Sequence, residues 1–454
     1  MLSTFRKAPD LAIIFALAAI YIVTALTHWD PLFWATGGLV LLSIAVMTPK
    51  LRGMTLWLTV AFMVIGSLLL ITQRADARTW FDAAGVNATI VTLFVFAPLF
   101  GIPVRIPAYI EALRRFYETS LRSGILMFFG TQLLTMIMGV FINVGSVPVV
   151  YNLAFVKPRP GLSPFLANAL NRGFAGAILW SPYFAAMALI TSALSVSWSA
   201  LLPYTLALSA FTLLVSLAVD WRGLRATEAR SEGKTVARED AIPPKASFPA
   251  GLSMYLGSAI VAVLALERLF ELPMLLITCM AAVLFPLGWC MAKNAMATYR
   301  QGLANHVTVT LPALKKEIAL FLAAGFFSGS IGSTGFGESI PKLLDRIPLP
   351  IDVTFSALTV ILIVATSMIA LHPIVLVTVL ANGIDPASVG LTPVLLAVLL
   401  LGSWGASNSV SPASAVNNLL AGLFKKPVFE LARANYKFAL CMAIVLPLYL
   451  LAVK

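Results

Sequence analysis

Four short polar interruptions carry most of the chemistry this chain can offer. Asn143-Val-Gly-Ser-Val-Pro148 breaks one apolar run and Trp180-Ser181-Pro182 breaks the next. In the second half, His372-Pro373 and Val410-Ser411-Pro412 stand at corresponding places. Proline inside a helix costs about 3 kcal/mol but is nearly free at the first helical position. Each Ser-Pro pair therefore reads as a serine N-cap followed by a first-turn proline. Val147-Pro148 and His372-Pro373 can start helices in the same way with weaker caps. Four half-helices beginning at membrane depth would each present free N–H groups and about half a positive charge, a setting that favours an anion. The alternative is that each proline only kinks a packed helix, and the pairing of all four weighs against it.

Polar residues gather at the same breaks. The first half supplies Asn143, Gly145, Ser146, Ser181 and Pro182. The second supplies Thr366, Ser367, His372, Ser407, Asn408, Ser409, Ser411 and Pro412, followed by Ser414, Asn417 and Asn418. Hydroxyls, amides and freed carbonyls can coordinate Na⁺ or hydrogen-bond an oxyanion, and a coupling Na⁺ is expected near Asn143, Ser146, Ser367 and Asn408. Ser414 alone reads as helix packing. The Asp and Glu residues fall in loops or near span ends, with Glu267 and Glu338 the closest to membrane depth. His28 and His306 read as loop residues, leaving His372 as the midmembrane titratable group: a proton or substrate ligand, or a neutral ring bonded to a freed carbonyl. Arg172 reads as an anchor at the inner surface.

These residues must be positioned by a membrane fold. Sixty per cent of the 454 residues are hydrophobic and 11% are charged, against about 25% charged in soluble domains. Apolar runs long enough to cross a bilayer recur throughout, and they are continuous rather than alternating, which excludes a β-barrel. The expected spans are 11–27, 32–48, 54–72, 83–103, 173–195, 199–219, 250–267, 273–291, 318–337, a broken 390–424, and 436–453. The stretches 123–156 and 353–382 read as re-entrant hairpins, tolerated only where they are buried or line a wet cavity. With the N-terminus inside, most of the 31 Lys and Arg residues fall on the inner side, as the positive-inside rule requires. That places the first hairpin inside, between Arg122 and Lys157, and the second outside, between Asp352 and Asp385.

The expected fold is thus an all-α polytopic membrane protein with about eleven transmembrane helices and two re-entrant hairpins in an inverted structural repeat. Its parts are scaffold helices over 1–82, a first repeat over 83–219 with the inner hairpin, and a cytoplasmic linker over 220–249. Scaffold helices of the second half follow over 250–317, then a second repeat over 318–454 with the outer hairpin. Arg105–Phe116 and Glu338–Ile347 read as interfacial arms. Glycines 325, 329, 332, 335 and 337 form a flexible stretch without the strand or Lys-Ser/Thr of a phosphate loop. Cys279, Cys290 and Cys441 sit in apolar helices with no metal-ligand spacing.

This order of elements resembles the ion transporter superfamily, and within it the divalent anion:sodium symporter branch. Asn143-Val-Gly-Ser146 keeps the Asn of that family's Ser-Asn-Thr hairpin tips, and Thr366-Ser367 keeps its hydroxyls. Residues 176–182 and 407–412 resemble its broken-helix turns in position more than in letters. The resemblance implies elevator-type movement of a substrate domain against a homodimeric scaffold, coupled to Na⁺ or H⁺. The reading from sequence is a secondary active transporter for a small anion, an organic carboxylate, in the cytoplasmic membrane with its C-terminus outside. An inorganic oxyanion exporter and a Na⁺/H⁺ antiporter are the alternatives, and the want of a midmembrane carboxylate counts against the antiporter. An intramembrane enzyme would need a nucleophile with a base, or a metal motif, and the sequence offers neither. No nucleic-acid partner and no resident cofactor are expected.

Overall fold

A computed structural model describes residues 9–156, 159–232, 246–270, 272, 274–332, 336–344 and 346–454. Lys157 and Gly335, used in the reading above, lie outside these residues. The described residues form helices and connecting turns, with no strand among them. Among the described residues, eleven helical paths are long and apolar enough to cross a membrane. The protein is a polytopic α-helical membrane protein, as its composition requires.

Helices α1 (Pro9–Thr27), α2 (Asp30–Met47) and α3 (Met54–Thr72) open the chain. The expected span over 83–103 is instead two short helices, α4 (Ala77–Gly85) and α5 (Ala88–Phe96), followed by 3₁₀ turns through Arg105. Asn87 causes the first break, because its side-chain amide donates to the Phe321 carbonyl at 2.8 Å. Pro98 and Pro103, which cannot donate a backbone hydrogen bond, fall in the turns.

The element order then runs twice. An amphipathic arm, α6 (Pro107–Ser120), leads into a hairpin of α7 (Gly124–Ile142) and α8 (Ser146–Ala154). A broken helix of α9 (Ser163–Trp180) and α10 (Ala185–Leu194) follows, and then α11 (Trp198–Glu232). That last helix continues through the first residues of the stretch read as linker. Helices α12 (Ala250–Leu269) and α13 (Met274–Ala292) come next, then α14 (Met296–Asn305), a π-helical turn (His306–Thr310) and α15 (Leu311–Gly332). The second round has an arm, α16 (Phe336–Leu344), and a hairpin of α17 (Ile351–Met368) and α18 (Ile374–Gly383). Its broken helix is α19 (Pro393–Val410) with α20 (Ala415–Phe424), and α21 (Val428–Ala434) and α22 (Tyr436–Val453) complete it.

Burial separates centre from periphery. Nearly all of both broken helices is buried, whereas α1, α3 and α12, at least as apolar, leave most of their residues short of full burial. A helix apolar all round must face lipid or protein core, so α1, α3 and α12 face lipid and the broken helices form the core. Small residues let that core close. A Cβ on Gly173 of α9 would lie 2.4 Å from the Gln132 carbonyl of α7, and one on Gly405 of α19 would lie 3.0 Å from the Ala175 carbonyl.

Arg172 is not an anchor at the inner surface. It is fully buried on α9 and bonds three partners: Asn435 at 2.8 Å, Ser216 Oγ at 3.1 Å and Asp220 at 2.9 Å. Its guanidinium also lies 5.0 Å from the centre of the Phe438 ring. Because α11 continues past residue 219, Asp220 is inside a helix and can face Arg172. One side chain thus ties α9 to α11 and α22. Removing one partner of a buried ion pair costs about 3–5 kcal/mol, while replacing both by apolar groups is often neutral. Asp220→Leu should therefore lower the unfolding temperature in detergent sharply, and Arg172→Met with Asp220→Leu should recover much of the loss. A double variant no more stable than Asp220→Leu would contradict this assignment.

Candidate functional site

Each hairpin tip is shaped by its own side chains. In the first, α7 ends at Ile142 and Asn143 turns to φ 50°. Its Oδ1 accepts from the Val144 N–H at 2.7 Å, and Ser146 donates to the Asn143 carbonyl at 2.8 Å. In the second, Ala370 takes φ 72°, and the N–H groups of Ala370 and Leu371 close back onto Ser367 and Thr366. Thr366 bonds within its own helix to Leu362 at 2.7 Å. His372 Nδ1 accepts from the Ile374 N–H at 3.2 Å, which caps α18. The prolines of both hairpins do fall at helix starts, as their positions in the sequence imply.

The broken helices depart from the expected capping. Ser181 and Ser411 do not begin the second half-helices; they end the first ones, in extended conformation. Pro182 and Pro412 lie in the turns, and the second halves start at Ala185 and Ala415. Ser181 Oγ donates to the Val140 carbonyl at 2.8 Å and accepts from the Tyr183 N–H at 3.2 Å. The capping serine of α20 is Ser414, which accepts from the Asn417 N–H at 3.2 Å. Asn417 closes the turn: its amide donates to the carbonyls of Ser409 at 3.1 Å and Ser411 at 2.9 Å. Asn171 of α9 donates to Asn417 Oδ1 at 2.6 Å, linking the two broken helices at the second break.

The four breaks meet at one cavity of about 560 Å³. Asn143 and Gly145 reach it from the first hairpin, Ala370 and His372 from the second. Tyr183 to Ala186 reach it from the first break, and Asn408, Ala413, Ala415 and Asn418 from the second. Residues at the starts of α10 and α20 thus line the cavity, and the starts of α8 and α18 stand beside it. Of the residues singled out from sequence, Asn143, Gly145, His372, Asn408 and Asn418 line it. Ser146, Ser181, Pro182, Thr366, Ser367, Ser407, Ser409, Ser411 and Pro412 are not among the lining residues. Of the four residues expected around Na⁺, Asn143 and Ser146 are engaged in the tip, Ser367 Oγ and the Asn408 amide nitrogen have no partner among the described residues, and Ser146 and Ser367 do not face the cavity.

Other lining residues escaped the sequence reading. Arg105 and Lys316 are exposed at the cavity, and neither pairs with a described carboxylate. Arg105 Nη2 lies 3.6 Å from the place a Cβ would take on Gly145, beside the first tip. His306 is not a loop residue: it opens the π-turn and is buried with Nε2 2.7 Å from the Val95 carbonyl. Glu317 is likewise inside a helix, facing the cavity six positions into α15. The walls are aromatic, with the His372 ring set edge-on between Phe321 and Trp404 at 5.4 and 5.8 Å. No carboxylate or histidine cluster of metal-binding type occurs among the described residues.

No protein-family model and no curated protein sequence matches the chain. Its fold is similar to that of a solved structure described as the YdaH transporter of Alcanivorax borkumensis with an unusual topology. The two share 14% identity at a TM-score of 0.53, over 87% of this chain and 97% of the other. The likeness extends over both repeats and establishes the fold.

If Asn417 holds the second break together, Asn417→Leu should destabilise the protein by about 1–3 kcal/mol for each carbonyl left bare. Asn418→Ala should cost less than half as much, because Asn418 is exposed and water can replace its bonds to Pro412 and Ser414. Equal losses in thermal unfolding would remove Asn417 from this role.

Proposed function

We propose that the protein is a secondary active transporter for a small organic anion, a carboxylate with an apolar body. The observation that carries this reading is the composition of the cavity where the four breaks meet. Half-helix N-termini converge there with the two unpaired cations Arg105 and Lys316, against a single carboxylate. Partial positive charge from helix starts together with unpaired cations favours an anion. The rings of Phe321, Trp404 and Tyr183 give the remainder of such a substrate an apolar surface. The fold shared with a structure described as a transporter supports the same class.

The cavity is bounded by the start of α3, the turn before α6 and the start of α15, all assigned to the inner side by loop charge. We take it as an inward-facing site in the cytoplasmic membrane, with the N-terminus inside and the C-terminus outside. Elevator movement of the two hairpins and broken helices against a dimeric scaffold, and coupling to Na⁺ or H⁺, follow from the likeness to the divalent anion:sodium symporters. Glu317 supplies the membrane-embedded carboxylate that a cation/proton antiporter would need, so that class is the second reading. Arg105 and Lys316 favour the anion.

Counterflow in proteoliposomes tests the proposal. Vesicles loaded with unlabelled benzoate, succinate, sulfate or phosphate should accumulate the matching labelled anion, and a carboxylate should be preferred. Arg105→Gln should lower apparent affinity about 10-fold or more, equivalent to about 1.4 kcal/mol, while the protein stays folded. Counterflow of none of these anions, with Na⁺ or H⁺ exchange present, would establish the antiporter instead. Cysteines placed at Val156 and Gly383 should label from opposite sides of the membrane, and labelling from one side would sink the inverted arrangement of hairpins.

A further inference from the structure

We propose that Glu317 is the proton-binding site that couples anion movement to the pH gradient, an inference that rests on the transporter reading above. Glu317 lies on the cavity-facing stripe of a nearly continuous helical rod. His306, Thr310, Ala313, Glu317 and Phe321 recur three or four positions apart, and all line the cavity. Phe321, one turn beyond Glu317, touches His372 at the second hairpin tip, so the carboxylate stands one helical turn from the midmembrane breaks. Its oxygens form no ion pair or hydrogen bond with any described residue. A carboxylate inside a membrane protein is costly unless it is paired or serves function.

The charges around it are few. Arg105, Lys316, His306, His372 and Tyr183 share the cavity. Lys315, its other basic neighbour in sequence, is held by Asp10 at 2.7 Å. On the helices packed against α15, the described charges Asp30, Arg78, Asp82 and Lys342 do not line the cavity. His306 Nε2 is engaged by Val95, and His372 Nδ1 by the backbone of α18. His306 Nδ1 has no described partner, and Glu317 is the lining carboxylate, free to gain and lose a proton without dismantling a helix cap or a packing contact.

The direction of coupling follows from charge. When water delivers a proton to a Glu317 oxygen, the cavity loses its one negative charge and keeps Arg105 and Lys316, so an anion binds better. Linkage makes the effect reciprocal: a bound anion raises the affinity of Glu317 for its proton. Proton and anion are then carried together and released together on the other side.

Infrared difference spectra of the purified full-length protein, taken across a pH titration, test the proton site without a substrate. The wild type should show a protonated-carboxyl band that Glu317→Gln loses and Glu317→Asp retains. In proteoliposomes, an outside-acid pH gradient should drive benzoate accumulation by the wild type. Glu317→Gln should lose that drive, and Glu317→Asp should restore part of it. A band unchanged in Glu317→Gln, pH-driven accumulation that survives the substitution, or accumulation driven by Na⁺ and indifferent to pH would each overturn the proposal. If the wild type shows no anion counterflow at all, the transporter reading fails, while the infrared titration still decides whether Glu317 exchanges a proton.

Discussion

A helix can stop in the middle of a membrane only if the backbone groups it frees find partners. Lipid supplies none, and each bare group costs several kcal/mol. This chain stops four helices at depth, and side chains close each break. Asn143 and Ser146 shape one tip, and His372 caps the helix after the other. Ser181 answers the Val140 carbonyl, and Asn417 gathers the carbonyls of Ser409 and Ser411. Once the breaks are closed, the starts of the second half-helices are left around a shared space. The cavity is the residue of that accounting, and the anion selectivity proposed for it rests on backbone direction as well as on side chains.

The polar residues at the breaks therefore divide into two sets. Ser181, Ser411, Ser414 and Asn417 bond backbone and hold the turns open at fixed geometry. Asn143, His372, Asn408 and Asn418 stand at the surface of the cavity. A sequence pattern marks both sets alike, because a helix that breaks needs polar residues whether or not a ligand is nearby. That is why the positions of the breaks could be read from Pro148, Pro182, Pro373 and Pro412, while the division of labour around them could not. The same ambiguity explains Ser414, which looks like a packing serine until the helix start at Ala415 makes it the cap.

The charged residues were the harder case. Lys315-Lys316-Glu317 stops a hydropathy window, so the sequence alone predicts a span beginning at residue 318 and leaves the three charges outside it. The rod actually begins at Met296 and passes through a π-turn, a form frequent at functional sites. Its charged turn faces the cavity on one side and Asp10 on another. Arg172 and Asp220 misled for a similar reason, since each sits next to a predicted boundary that the structure moves. Charge at the edge of an apolar run has two meanings, loop or cavity wall, and only the packing of the helix against its neighbours separates them. The fold was legible because bilayer thickness and proline placement constrain it strongly.

All four breaks border one cavity, and cysteine protection tests most directly whether an organic anion occupies it. With Cys279, Cys290 and Cys441 replaced, single cysteines at Gly145, Ala370, Ala185 and Ala413 sample one break each. The account predicts that all four react with a small water-soluble thiol reagent, and that the same organic anion slows reaction at every one of them. Protection confined to one or two positions, with the others unreactive or indifferent to the anion, would contradict it.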